Sequence, residues 1–147
     1  SLGKNRSEVA RQHMSQVATQ VQQMLAAGNE DPGIGLKVRE IAQNQQQTQS
    51  KLNENVDQLE QRKRWVKTLI GPNYQAMKTI EQELAINQDR IGQLQQLQTE
   101  AETEVAKAEI EQTIQALQAQ NQVLDQVMEQ EREQFSLFGW LFKRINS

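Results

Sequence analysis

Cysteine is absent from this sequence, proline occurs only twice, and six of the 147 residues are aromatic. The absence of cysteine excludes disulfides, thiolate catalysis and cysteine-based metal sites. No apolar run approaches the roughly 20 residues that a membrane-spanning helix needs, and no stretch has the pattern of a secretory signal peptide. The sequence therefore predicts neither a disulfide-stabilised fold nor a membrane-spanning helix.

An excess of basic charge is also missing. Sixteen Lys and Arg residues oppose 19 Asp and Glu residues, and the formal net charge is −3. A dedicated nucleic-acid binder needs a basic face that displaces counterions from phosphates. Because the two signs are mixed along the chain, we expect no nucleic-acid partner.

Glutamine is the residue that the sequence has in abundance, with 27 copies. Hydrophobic residues make up only 36% and the mean hydropathy is −0.79. The apolar residues are nevertheless evenly spaced, which a disordered chain would not require. Glutamine favours helices and can keep its amide in water. This composition predicts long helices with a thin apolar stripe, and the length predicts a single domain over residues 1–147.

The spacing of apolar residues predicts an all-α fold, an elongated antiparallel bundle of about four helices. The predicted elements are helices at residues 7–27, 34–70, 73–98 and 104–134 and a short amphipathic C-terminal segment at 135–146. One face of the first helix repeats every four positions through Val9, His13, Val17, Val21 and Leu25. The second helix carries a near-heptad seam from Ile34 to Ile70. Turn-forming clusters at 29–33 and 71–72 end these two helices.

A third turn is predicted around residues 98–103. The apolar step from Val105 to Ile110 fits neither three nor four residues, so one helical phase does not extend across it. Thr99 and Glu102 have the spacing of a capping box, which is typical of a helix start. The alternative is one unbroken helix, since Ala, Glu and Lys are strong helix formers.

Antiparallel packing gathers the aromatic residues at one end of the predicted bundle. Short loops make consecutive helices antiparallel neighbours, so the C-terminal segment lies at the same end as the turn at 71–72. All six aromatic residues and a basic cluster share this end. We name the candidate docking site there the aromatic–basic pole. Its residues are Arg62, Lys63, Trp65, Tyr74, Phe135, Phe138, Trp140, Phe142, Lys143 and Arg144.

Two interpretations of the aromatic–basic pole are open. The tail could fold over the end of the bundle as a cap and bury about 150–250 Å² of each ring. It could instead form an interfacial anchor, with an apolar helical face bordered by Trp140, Lys143 and Arg144, because aromatic and basic residues together suit the headgroup region of a membrane.

The remaining polar groups have simpler structural explanations. The acidic residues between Glu100 and Glu111 favour a helix start, and Gly33-Ile34-Gly35 suits a tight turn better than an anion site. Asn87 and Asn121 occupy core positions about 20 Å from the pole, so we expect them to face each other and fix the register. His13 is the only histidine. We predict no catalytic residue, no metal site and no cofactor, and therefore no enzyme.

Four segments carry a resemblance to a known group of proteins. They are RSEVARQHM at 6–14, GIGLKVREIAQ at 33–43, LIGPNY at 69–74 and FSLFGWLFK at 135–143. Together they resemble a family of uncharacterised proteins from small-genome, mostly uncultivated bacteria, whose members often carry an export signal and a polar linker ahead of this region. The resemblance implies an extracytoplasmic or cell-envelope location and no particular activity. This sequence lacks the export segment, so a cytoplasmic location is the alternative.

We therefore expect a non-enzymatic structural or interaction module of the cell envelope, which docks on a membrane surface or a protein partner through the aromatic–basic pole. The alternative is a self-assembling, coiled-coil-like scaffold or a pilus- or adhesin-type helical bundle. In that case the chain forms a homo-oligomer and its aromatic tail only caps the core.

Overall fold

Four α-helices and two tight turns make up the described part of the chain. This computed structural model describes residues 2–61 and 74–145, with side chains described over 6–61 and 74–133. The helices are α1 (Leu2–Asn29), α2 (Gly35–Gln61), α3 (Tyr74–Glu100) and α4 (Glu104–Ile145). The predicted all-α fold is confirmed, and these residues contain no strand.

The helices form a bundle in which each one packs against two neighbours. Helix α1 contacts α2 and α4, and α3 contacts the same two. Side chains on facing helices fix the alignment: the Nε2 of Gln20 donates to the Oε2 of Glu109 at 2.6 Å, and Arg132 forms an ion pair with Glu81. We call the end with the turns at 30–34 and 101–103 the loop end. The opposite end, where α3 begins and α4 finishes, is the tail end.

The turn between α3 and α4 confirms the predicted break, but its capping residue is different. Residues 101–103 are not helical, and the hydroxyl of Thr103 accepts the N–H of Ala106 at 3.2 Å, so Thr103 caps α4. Thr99, the predicted cap, donates its hydroxyl back to the carbonyl of Gln96 within α3. The capping-box spacing predicted the correct turn, but it placed the capping residue four positions too early, at Thr99 and not at Thr103.

The C-terminal residues belong to α4. A separate segment was predicted from residue 135, but α4 continues without a break from Glu104 to Ile145. A change of composition does not stop a helix by itself. The one helix-weakening residue is Gly139, which costs only about 1 kcal/mol relative to alanine. A tail folded back over the bundle end would need a turn before residue 135, and α4 has none. For α2, the predicted stretch at 62–70 lies outside the described residues.

The buried stripe of α1 differs in phase from the predicted one. It follows a heptad through Ser7, Ala10, Met14, Val17, Val21, Met24 and Gly28. Val9 is 42% exposed, and His13 and Leu25 are only partly buried. Small residues serve as core positions because the helices approach closely: a Cβ on Gly28 would lie 2.5 Å from a methyl of Val38. The predicted seam of α2 is confirmed over the described residues apart from Ile41, which is only partly buried, and Val38, Leu52 and Val56 are fully buried.

Two apolar clusters fill the bundle. The loop-end core comprises Val17, Val21, Met24, Ile34, Val38, Ala42, Ile91, Leu94, Leu97, Ala101, Ala106, Ile110, Ile114 and Leu117. The tail-end core comprises Ala10, Met14, Leu52, Val56, Leu59, Ala76, Met77, Ile80, Leu124, Val127 and Met128. Buried polar side chains lie between the two clusters, and all four helices pass through that level.

Candidate functional site

The aromatic–basic pole is described in part. Tyr74 is the first residue of α3 and is 56% exposed. Arg62, Lys63 and Trp65 lie outside the described residues. For the predicted pole residues on α4 only the helical backbone is described; they are Phe135, Phe138, Trp140, Phe142, Lys143 and Arg144.

The alignment of α3 and α4 places the start of α3 and the last turns of α4 at the same end. Arg132 pairs with Glu81, which lies two turns into α3. Because the two helices are antiparallel, the residues of α4 that follow Arg132 run towards the level of Tyr74. Tyr74 and residues 135–145 are thus the described members of the pole that share the tail end.

A buried carboxylate, which the sequence did not indicate, organises the loop end. Asp31 is 1% exposed. Its Oδ1 accepts the N–H of Gly33 at 2.8 Å. Its Oδ2 accepts the N–H groups of Glu102 at 2.9 Å and Thr103 at 2.8 Å, and also the Thr103 hydroxyl at 3.0 Å. A single side chain therefore joins the α1–α2 turn to the α3–α4 turn.

Hydrogen bonding keeps this carboxylate charged. Burial by itself raises the pKa of Asp31, but the bonds donated by Thr103, Gly33 and Glu102 outweigh it and hold the pKa below its ordinary value. Gly33 also lies too close to α3 for a side chain, because a Cβ there would be 2.7 Å from the carbonyl oxygen of Glu100. These contacts support a tight turn at Gly33-Ile34-Gly35 rather than an anion site.

Asn87 and Asn121 face each other, as predicted from their core positions. The Nδ2 of Asn87 donates to the Oδ1 of Asn121 at 3.0 Å. Asn87 belongs to a larger layer of buried polar side chains that also contains Gln45, Gln49 and Gln120, and the partly buried Asn121 lies at its edge. Gln45 was part of the predicted seam of α2, but the sequence did not show that three glutamines from two helices would be buried at one level.

The acidic residues near the loop end form surface contacts. Glu109 accepts from Gln20, and Glu111 accepts from Gln98 at 3.1 Å. Lys37 bonds to Glu100 at 2.6 Å and lowers the pKa of that carboxyl. Each of these acidic residues therefore contacts a different partner, and they do not line one shared cleft.

An open groove of about 560 Å³ lies between α2 and α3. Its lining residues are Lys37, Glu40, Ile41, Asn44, Gly92, Gln93, Gln96, Leu97 and Glu100. The lining includes no serine, threonine or histidine, so among the described residues it offers no hydroxyl or imidazole for catalysis. Over all the residues that the structure describes, no group of three or more acidic or histidine side chains is placed to hold a metal ion.

No family model, curated protein or solved structure matches the chain. Over residues 2–61 and 74–145, no helix combines the length and the apolar character needed to cross a bilayer. The family resemblance of the four sequence segments stays a prediction.

Proposed function

We propose that this protein is a non-enzymatic interaction module of the cell envelope that docks on an anionic membrane surface through the aromatic–basic pole. The observation that carries the proposal is the unbroken course of α4 to Ile145. Because residues 135–145 are helical, their spacing in the sequence becomes a spacing around a helix.

The helix formed by residues 135–145 is amphipathic. Positions 137, 138, 141, 142 and 145 share one side of the helix and hold Leu, Phe, Leu, Phe and Ile. Trp140, Lys143 and Arg144 occupy positions outside this stripe. Helices with an aromatic and aliphatic side and basic residues around it lie in the headgroup region of a membrane. The segment is too short to span the bilayer.

Charge favours an anionic surface as the partner. The segments 61–80 and 134–147 contain seven of the 16 Lys and Arg residues and none of the 19 Asp and Glu residues. The rest of the chain is therefore acidic, and the basic charge is concentrated towards the tail end. Each Lys or Arg near an anionic lipid surface contributes about 1 kcal/mol of attraction. The envelope location in the proposal is supported by the resemblance of the four sequence segments.

Co-sedimentation with vesicles tests the docking. The full chain is mixed with vesicles of phosphatidylcholine and phosphatidylglycerol, or of phosphatidylcholine alone. We expect binding to the anionic vesicles, and about a thirtyfold loss in the variant Lys143→Gln/Arg144→Gln. The variant Lys37→Gln/Arg39→Gln removes the same charge from α2 near the loop end and should bind as the unchanged chain does.

The apolar side is tested separately by Phe138→Ser/Phe142→Ser. This variant should lose binding to anionic vesicles with its net charge unchanged. Equal and negligible binding by the unchanged chain and all variants would rule out membrane docking. If light scattering then showed a mass that rises with concentration, the scaffold alternative would be favoured.

A further inference from the structure

The buried polar layer crosses the whole bundle. The Nε2 of Gln49 on α2 donates to the Oε1 of Gln120 on α4 at 2.7 Å and to the carbonyl of Met14 on α1 at 3.0 Å. The Nε2 of Gln45 donates to the Oδ1 of Asn87 on α3 at 3.1 Å. The Nε2 of Gln45 also donates to the Oε1 of Gln49 at 2.8 Å. One connected set of hydrogen bonds therefore contains groups from all four helices, and it lies between the loop-end core and the tail-end core.

A cation completes the layer on one side. The guanidinium of Arg90 donates to the Oε1 of Gln45 and to the hydroxyl of Thr48, both of which are neutral acceptors. Arg90 is 8% exposed. Burial lowers its pKa, and the charge of Glu83 only partly offsets this. The charge of Arg90 would thus be better solvated if water reached the layer.

One donor of the layer has no partner among the described residues. The Nε2 of Gln120 is buried and makes no hydrogen bond there, and Gln120 is 0% exposed. An unsatisfied buried donor is unfavourable, and contact with water would satisfy it. Both Arg90 and Gln120 therefore favour a state in which the layer is wet.

A polar layer changes what it costs to open half of a bundle. If the core were apolar throughout, opening one half would leave an apolar cross-section of the other half in water. Here the cross-section contains amides, a hydroxyl and a guanidinium from α2, α3 and α4, which water can solvate. A half-open state with water against the layer is accordingly more favourable than one with water against a cut apolar core.

The connections of the chain decide which half opens. At the loop end, two tight turns join α1 to α2 and α3 to α4, and Asp31 bonds the two turns to each other. At the tail end only α2 and α3 are joined, through residues 62–73, and no chain connection links α1 to α4. Among the described residues, the tail-end half therefore has fewer chain connections that oppose separation, and the ion pairs of Arg11 with Asp57 and Glu60 and of Arg132 with Glu81 lie at its surface.

We infer that the polar layer is a built-in boundary at which the bundle opens in two steps, with the tail-end half separating as one cooperative unit while the loop-end half stays closed. This goes beyond the proposed docking and does not depend on it. Water enters as far as the layer, where the amides and Arg90 exchange protein partners for water, and the loop-end core stays covered.

Native-state hydrogen exchange at increasing low denaturant concentration tests this inference. Amides at 52–59, 76–80 and 124–128 should share one denaturant-dependent opening and exchange about tenfold or more faster than those at 17–24, 38–42, 91–97 and 110–117. A single opening shared by both sets would overturn the inference. So would exchange that is graded along the helices without denaturant dependence, since that indicates fraying.

A double substitution in the layer provides the second arm. Gln49→Leu/Gln120→Leu replaces the central amide pair and removes the unpartnered donor, so apolar side chains connect the two cores between α2 and α4 while Gln45, Asn87 and Arg90 stay in place. We expect the two exchange levels to merge and the variant to be no less stable than the unchanged chain. The matched control is Gln46→Leu/Gln118→Leu, at two exposed positions of the same helices, and it should keep both levels. If the folded layer variant still showed two exchange levels with the same difference in rate, the layer would not be the boundary.

Discussion

The two ends of this bundle use different chemistry. At the loop end, two tight turns approach so closely that Gly33 has no room for a side chain, and a buried carboxylate joins them. At the tail end, aromatic and basic residues are concentrated in the sequence, and α4 continues as a helix to Ile145. The difference teaches that a single buried carboxylate can join the two turns at one end of a bundle, while the aromatic and basic residues are concentrated in the sequence towards the other end.

Removing Asp31 should have the largest effect on this comparison. Asp31→Ala deletes the acceptor of four hydrogen bonds and leaves the N–H groups of Gly33, Glu102 and Thr103 without it. We expect the midpoint of thermal unfolding to fall by roughly 5–10 °C in calorimetry. Glu30→Ala, at the exposed neighbouring position, is the control and should leave the midpoint nearly unchanged. Equal midpoints for the two variants would contradict the role of Asp31.

Acid should lower the contribution of the Asp31 carboxylate to the stability of the loop end. Because the folded-state pKa of Asp31 is lowered, its contribution to stability is fully present above its unfolded-state pKa of about 3.9. That contribution is lost as the pH falls through the folded-state value. Denaturant unfolding at pH 7 and at steps below pH 4 should therefore show the stability gap between the unchanged chain and Asp31→Ala narrowing in acid. A gap that stays constant down to the acid transition would speak against the assignment.

The cap of α4 should come next in size. Thr103→Ala removes the hydroxyl that accepts from Ala106 and donates to Asp31, and the loss of such a cap typically costs about 0.5–2 kcal/mol. Thr103→Ser keeps the hydroxyl and should recover most of the difference in urea unfolding. Thr99→Ala tests the position that the sequence favoured. If it cost as much as Thr103→Ala, the structural assignment of the cap would be wrong.

Two glycines should respond in opposite directions. Gly92 lies within α3, and a Cβ added there would have no neighbouring atom of the described residues within 4 Å. Gly92→Ala should therefore stabilise the protein by about 0.5–1 kcal/mol through helix propensity. Gly33→Ala should destabilise it, because the added methyl would meet the backbone of Glu100. Urea unfolding of both variants distinguishes a general benefit of alanine from a local steric limit.

The surface ion pair of Arg132 and Glu81 should have the smallest effect. Their side chains are 51% and 47% exposed, and exposed pairs contribute about 0–1 kcal/mol. We expect Arg132→Gln to lower the free energy of unfolding by less than about 1 kcal/mol, with the difference reduced further in high salt. A larger, salt-independent loss would mean that the tail end is more constrained than the comparison implies.

Much of the fold could be predicted from the periodicity of apolar residues, because that periodicity is visible within short stretches of the sequence. The seam of α2, the break between α3 and α4 and the facing pair Asn87 and Asn121 all follow from spacings within one or two helices. The stripe of α1 was assigned the wrong phase since Ala10 and Gly28 are too small to signal a core position on their own. The continuation of α4 past residue 135 was missed because a change in composition was taken for a structural boundary.

The candidate site was predictable as a grouping and not as a geometry. Counting helices and short turns predicts that the aromatic and basic residues lie at one end; the structure describes Tyr74 and the helical backbone of 135–145 at the tail end, and the rest of the grouping stays a prediction. The sequence did not indicate the role of Asp31, whose partners at Glu102 and Thr103 are more than 70 positions away. Nor did it indicate the connected layer, since an exposed glutamine and a buried one look alike when 27 are spread along the chain.

The sequence by itself determined the helical class, the approximate helices and the uneven distribution of aromatic and basic residues. These depend on propensity, on apolar spacing and on composition, which act over short distances along the chain. Tertiary structure alone decided which amides became buried together, how one carboxylate came to join two turns, and where the core divides. Those features require groups distant in sequence to meet within hydrogen-bond distance, and only the packing of the four helices sets that distance.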